Sequence, residues 1–263
     1  MKAFLVLAYV SLLAGAALAK NISITISQTT HVSDGNLVVA VKVGNSGDEA
    51  ALTVVPSLHF GDKEVHGKGK PSLEPNTSFE ETLSLPVGEL GEGRWPYRVA
   101  IDYTDANQYP FQALQTQTVV IGNPPPAKVA VPTITAEDIT GTGTLALTVK
   151  NLTPDTRTAA VRVLVPEGLE VTDGSRKVTL EGYKEEHITV PVTNRTALIG
   201  SRYPVFVSAE YDDGPVHQAV VAQGIVSVVG TESFFTRYRR ILWVVAGAAV
   251  LAWLAVVLVR ALR

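Results

Sequence analysis

The residues most suggestive of chemistry are Asp102-Tyr103-Thr104-Asp105-Ala106-Asn107, with a second crowding at Asp212-Asp213-Gly214. Carboxylate and amide oxygens set so closely on a tight turn suit a hard cation such as calcium, with Asp102, Asp105 and Asn107 as ligands. The same residue types also build turns with no ligand at all, because Asp and Asn side chains bond to backbone nearby and Gly supplies positive φ. The full ligand spacing of a calcium-binding loop is missing. A calcium site and a plain hairpin turn therefore stand as two readings, and no other cofactor is expected.

Other constellations are thinner. The five histidines, His31, His59, His66, His187 and His217, show no metal-ligand spacing, although His59 and His66 should flank a turn. No Gly-x-Ser-x-Gly elbow occurs, and Glu80-Glu81 and Glu185-Glu186 would point to opposite faces of a strand, so neither pair makes an acid/base couple. There is no cysteine, which removes disulfides, thiolate metal sites, a thiol nucleophile and a lipidated cysteine together. The chain is expected not to be an enzyme. Trp95, Tyr97, Tyr109 and Phe111 gather near Tyr103 around one hairpin, either as a platform for a sugar or a partner protein or as core packing. Four Asn-x-Ser/Thr sequences, at Asn21, Asn76, Asn151 and Asn194, match the glycosylation acceptor.

The elements that carry these residues follow from a period of two. Leu37–Val43, Leu52–Leu58, Ser78–Leu83, Tyr97–Tyr103 and Ala113–Ile121 are short runs rich in β-branched and aromatic residues, separated by turn signals such as Ser33-Asp34-Gly35 and Asn45-Ser46-Gly47-Asp48. Thr144–Val149, Ala159–Val165, Glu186–Val190, Val205–Tyr211 and Val220–Val229 repeat the pattern. Gly35–Lys42 matches Gly143–Lys150, Pro96–Val99 matches Pro204–Val207 and Tyr103 matches Tyr211, each 108 residues apart. Leu83–Val87 and Ile188–Val192 match at 105, so the indels lie in connections and cancel. This is a duplication. The fold class expected is all-β: two tandem immunoglobulin-like antiparallel β-sandwiches, residues 20–121 and 128–229, joined by a stiff Pro-rich linker at 122–127, plus one C-terminal transmembrane α-helix.

Both ends of the chain read as targeting segments. Lys2, an apolar run and Ala17-Leu18-Ala19 make residues 1–19 a signal peptide. Ile241–Val259 is nineteen residues without a charge, and as a helix it would span ~28 Å, close to the hydrocarbon core of a bilayer. Phe234, Phe235, Tyr238, Arg239, Arg240 and Trp243 would lie at the membrane interface. Gly247, Ala248, Ala252 and Ala255 form a small-residue face for helix packing, or simply alanine-rich membrane sequence. Residues 230–240 are then a juxtamembrane segment and 260–263 a cytoplasmic tail. Between Lys20 and Thr236 the formal charge is −9, from 16 Lys and Arg against 25 Asp and Glu, so nucleic acid is not an expected partner.

Val41-Lys-Val-Gly-Asn45-Ser-Gly47-Asp-Glu-Ala50, Leu73-Glu-Pro-Asn-Thr77 and Tyr97-Arg-Val-Ala-Ile-Asp-Tyr103 resemble the CARDB-type bacterial immunoglobulin-like domain. Val149-Lys-Asn151, Val165-Pro-Glu-Gly168-Leu, Val190-Pro-Val192 and Ile199-Gly-Ser-Arg-Tyr203-Pro-Val205 resemble the related NPCBM-associated domain. The resemblance covers nearly the whole exported part and implies a spacer, adhesion or accessory module of the cell envelope. The expectation is a non-catalytic protein anchored by a single span in the cytoplasmic (inner) membrane. Its two domains would stand in the periplasm or outside the cell and bind an envelope protein or membrane complex. An accessory module for cell-wall or extracellular polysaccharide is the alternative.

Overall fold

The structure is a computed structural model describing residues 21–230, with Tyr238, residues 241–245 and Gly247 besides. The expected signal peptide and most of the expected span lie outside the described residues. The first eight strands are β1 (Ile24–Ser33), β2 (Asn36–Asn45), β3 (Ala51–Phe60), β4 (Lys63–His66), β5 (Lys70–Leu73), β6 (Thr77–Pro86), β7 (Gly93–Thr104) and β8 (Pro110–Ile121). The next eight are β9 (Val129–Ala136), β10 (Thr142–Asn151), β11 (Arg157–Leu164), β12 (Leu169–Val171), β13 (Ser175–Leu180), β14 (Glu185–Asn194), β15 (Arg202–Asp213) and β16 (Val216–Ser227). The protein is all-β in sandwich-like sheets. Among the described residues no helix is long and apolar enough to cross a membrane.

Two compact units result, one of the residues up to Gly88 with Val99–Ala113, the other of Glu89–Arg98 with the residues from Leu114 onward. In the first, β2 lies between β1 and β6, antiparallel to both, with Val41 opposite Gln28 on one side and Glu81 on the other. The β1–β2 connection is Asp34-Gly35, both at positive φ (51° and 71°), between the paired Ser33 and Asn36. That is the type I′ geometry whose twist suits a two-residue hairpin. Leu37, Val39, Val41 and Val43 alternate along β2 at no more than 1 % exposure, and Val54 and Leu58 of β3 are equally buried. Burial of each such side chain is worth ~1.5–3 kcal/mol, so the alternation of β2 is what fixes its face and register.

The second unit repeats the plan. One sheet runs β12-β14-β10-β9, and strands β13-β11-β15-β16 are neighbours in the other. A single core joins Leu145, Leu147 and Val149 of β10 and Ile188, Val190 and Val192 of β14 to Val161 and Val163 of β11 and Val205, Val207 and Ala209 of β15. At Gly93, β7 meets β16 in parallel opposite His217. Here a glycine is required: Gly93 has φ 154°, and a Cβ would lie 2.2 Å from the carbonyl oxygen of His217.

Each unit also has a buried asparagine at the end of its central strand. Asn45 Nδ2 donates to the carbonyls of Glu49 (2.7 Å) and Leu73 (3.1 Å), and its Oδ1 accepts from Gly47 N (3.0 Å). Asn151 Nδ2 donates to Asp155 (2.7 Å) and Leu180 (3.1 Å), and its Oδ1 accepts from Thr153 N (3.0 Å). The residues are 2 % and 0 % exposed. Each carboxamide closes the following turn on itself and ties it to a strand of the facing sheet, satisfying carbonyls that burial would otherwise strand. Although Asn151 opens a glycosylation sequence, its Nδ2 is committed inside the fold.

Candidate functional site

The densest polar arrangement lies in the second unit, at the β15–β16 hairpin. In that hairpin Asp212 pairs with His217 and Asp213 with Val216, and Gly214 at φ 65° makes the turn. Asp213 accepts from Lys128 Nζ at 2.6 Å and from Arg157 Nη1 at 3.0 Å, with only 18 % of its side chain exposed. Arg157 Nε donates to Thr153 Oγ1 at 3.0 Å, and its guanidinium lies 5.9 Å from the ring centroid of Tyr211. The Tyr211 hydroxyl in turn accepts from Lys128 N at 2.5 Å. Lys128 first, and then Arg157, hold the Asp213 carboxyl below its ordinary pKa against the opposing effect of burial.

On the neighbouring strand, Gln218 is fully buried. Its Oε1 accepts from Arg94 Nη1 (2.8 Å) and its Nε2 donates to the carbonyl of Pro125 (3.1 Å), to which Arg94 Nη1 also donates at 2.6 Å. Proline has no N–H but keeps its carbonyl acceptor. The Pro-rich segment expected to be a stiff linker is held through its carbonyls by one arginine and one buried glutamine.

His217 faces the other way. Its ring stacks on Trp95 with centroids 4.1 Å apart and planes at 18°. Nδ1 is 2.9 Å from Asp212 Oδ1, and Nε2 is buried 3.6 Å from Glu210 Oε2, too far for a hydrogen bond. Glu210 most, and Asp212 next, raise the pKa of His217 above its ordinary value, while partial burial works against them. The protonated ring is attracted by both carboxylates, through a hydrogen bond to Asp212 and charge alone to Glu210, and presents a cation to the indole face, so charge and stacking favour the same state. The arrangement holds Arg94, Trp95, the proline segment and the hairpin together.

The residues singled out in the sequence are distributed as follows. Trp95 is stacked on His217 and donates Nε1–H to the carbonyl of Gly91 at 3.0 Å, while Tyr97 is 3 % exposed with its hydroxyl on Gln117 Oε1 at 3.2 Å. Both belong to the second unit. In the first unit Tyr109 and Phe111 are half-buried and grouped, Phe111 stacking on Tyr103 at 5.4 Å and meeting Tyr109 at 5.2 Å. Asp102 accepts from Gln112 Nε2 at 2.8 Å. Asp105 Oδ1 accepts from the backbone of Asn107 (2.9 Å) and Tyr109 (2.8 Å), which is the aspartate-closed turn read as one of two alternatives. Among the described residues no group of three His, Cys, Asp or Glu side chains is placed to hold a metal ion.

His59 and His66 do flank a turn, on β3 and β4, and both Nε2 atoms approach Glu64 Oε1, at 3.2 and 3.4 Å. Tyr238, Trp243 and Gly247 are helical and exposed. Phe234, Phe235, Arg239, Arg240, Ala248, Ala252 and Ala255 lie outside the described residues. Sequence reasoning missed Arg94, Gln218 and Lys128; the repeat of Tyr103 at Tyr211 marked the hairpin but not the cations that would reach it.

No protein-family model and no curated protein sequence matches the chain. Among solved structures it is similar to trypsin-activated alpha-2-macroglobulin from Escherichia coli, at 14 % identity and a TM-score of 0.34 over 80 % of this chain and 18 % of that one. The elastase-activated form of the Escherichia coli protein gives 14 % and 0.34 over 82 % and 23 %. Red sea bream transglutaminase gives 11 % and 0.28 over 81 % and 31 %. The chain thus spans less than a third of the length of each of these structures, and none assigns it an activity.

Proposed function

We propose that the chain is a non-catalytic, membrane-anchored module of the cell envelope that presents two immunoglobulin-like sandwiches outside the cytoplasmic membrane for protein–protein interaction. One observation carries the reading. Ile241, Leu242, Trp243, Val244 and Val245 are helical and between 38 % and 72 % exposed, five successive apolar side chains at the start of the charge-free run to Val259. In water each such side chain forfeits ~1.5–3 kcal/mol of burial, a cost that disappears in hydrocarbon. Tyr238 and Trp243 suit the interfacial layer. Anchoring keeps the module near a partner in the same membrane and so raises its effective concentration.

The test is alkaline carbonate extraction of membranes from cells making the full chain. The chain should stay with the membrane, and Val250→Arg combined with Leu251→Arg should release it; a wild-type chain that is extracted freely would sink the anchor. Purification in mild detergent should then bring down envelope membrane proteins. Retention on cell-wall or extracellular polysaccharide in their place would favour the accessory carbohydrate-binding reading.

A further inference from the structure

Among the described residues of the two β units, the most exposed large apolar side chain is Ile199, at 69 %, and its neighbour Leu198 is 40 % exposed. They form the tip of a well-built turn. Ser201 N donates to the carbonyl of Leu198 at 3.2 Å, and Gly200 follows Ile199 with φ 88°, the type II arrangement that needs glycine at its third position. The turn is pinned from several sides: Leu198 N donates to the Tyr203 hydroxyl (2.9 Å), Gly200 N to Val228 O (2.7 Å) and Ala197 N to Asn194 Oδ1 (2.7 Å). An apolar tip held this firmly stays exposed by construction.

Its position suggests what covers it. Gly230, the residue from which the chain runs on towards the apolar helical turn at Ile241–Val245, lies directly against Ile199; a Cβ there would sit 3.0 Å from Ile199 Cγ2. Arg202, also exposed, follows the tip, giving the apolar-then-basic order that suits the headgroup layer. The exposed Leu152 lies past the opposite end of β10, whose ten residues separate it from the Asn194 end by ~30 Å.

We propose that the Leu198–Ser201 turn is a second membrane contact, seating Leu198 and Ile199 in the lipid interface so that the second unit rests on the bilayer instead of swinging on its juxtamembrane segment. The inference rests on the membrane anchor proposed above. The chain has no cysteine, so single-cysteine variants of the full chain can be labelled without background.

Ile199→Cys, Leu198→Cys and Leu152→Cys would each carry an environment-sensitive NBD group after reconstitution into phosphatidylethanolamine/phosphatidylglycerol vesicles, with folding checked by circular dichroism and insertion by flotation. The two turn positions should show blue-shifted emission, quenching by nitroxide lipids and a severalfold slower reaction with aqueous maleimide, and position 152 should show none of these. Flotation without quenching at 198 and 199 overturns the contact and leaves the anchor standing. Failure to float overturns both. Protection of the turn without nitroxide quenching assigns it to a protein neighbour and overturns the lipid contact.

Discussion

Two hairpin tips, 108 residues apart by the match of Tyr103 to Tyr211, begin from the same sequence signal and end in different chemistry. In the first unit Asp105 turns back on its own loop and takes the backbone N–H groups of Asn107 and Tyr109. In the second, Asp213 takes Lys128 and Arg157, which arrive from elsewhere in the chain, while Asp212 and Glu210 flank His217. An aspartate in a turn closes the turn when adjacent N–H groups are the nearest donors. It becomes a long-range tie when cations reach it first. What the two units keep in common is the buried asparagine, Asn45 or Asn151.

The shared feature should therefore give the largest and most equal effects. Asn45→Ala removes the side-chain donor from two carbonyls and Asn151→Ala from three, one of them buried in each case, at a cost of ~1–3 kcal/mol for a buried group beyond the lost bonds, so each should destabilise its own unit by about 3 kcal/mol. Urea denaturation read by circular dichroism should show a separate early transition in either variant. Clearly unequal losses would mean that the two corners are not energetically equivalent.

The differing feature comes next. Asp213→Ala strands Lys128 and Arg157 in a half-buried setting and should cost about 2–3 kcal/mol. Asp105→Ala removes only a cap-like pair of bonds, worth about 1 kcal/mol. The acid limb separates them further. Because the pKa of Asp213 is lowered in the fold, its contribution is complete above the ordinary carboxylate value of ~3.9 and is lost as pH falls through the lower folded value. The wild type should accordingly lose stability towards Asp213→Ala in that acid range; a constant gap between the two proteins down to the lowest accessible pH would remove the charge-paired reading.

How much of this was legible in the sequence depended on the range of the interaction. The alternating runs on β2, β10 and β14 gave themselves away because burial on one face imposes a period of two. Strands β1, β4, β5, β9, β12 and β13 did not. Gln28 and Thr30 break the apolar face of β1, Pro132 interrupts β9, and β12 has only three residues. The Asp105 turn was readable because its donors are two and four residues away. The clamp on the proline segment was not, since nothing local in Arg94 or Gln218 announces a carbonyl of Pro125. For Trp95 and Tyr97, platform and core packing stood as alternatives because aromatic content alone does not say which face a ring turns inward.

The smallest effect is the most specific probe of the second tip. With its pKa raised in the fold by Glu210 and Asp212, His217 contributes stability that is fully present below the ordinary imidazole value of ~6.5 and is lost as pH rises through the higher folded value. Trp95 reports this directly. It stacks on the titrating ring at 4.1 Å, and of the three tryptophans only it lies in the β units, so Trp243→Phe with Trp253→Phe isolates its emission. A protonated imidazole quenches a stacked indole, and emission should therefore rise with pH along a single curve whose midpoint lies above ~6.5. His217→Asn should abolish the curve and flatten the stability difference between the two ends of the titration, which should amount to about 0.5–1 kcal/mol. The first tip has no such group, and a pH response of Trp95 that persisted in His217→Asn would show that the carboxylates, and not the imidazole, control the hairpin.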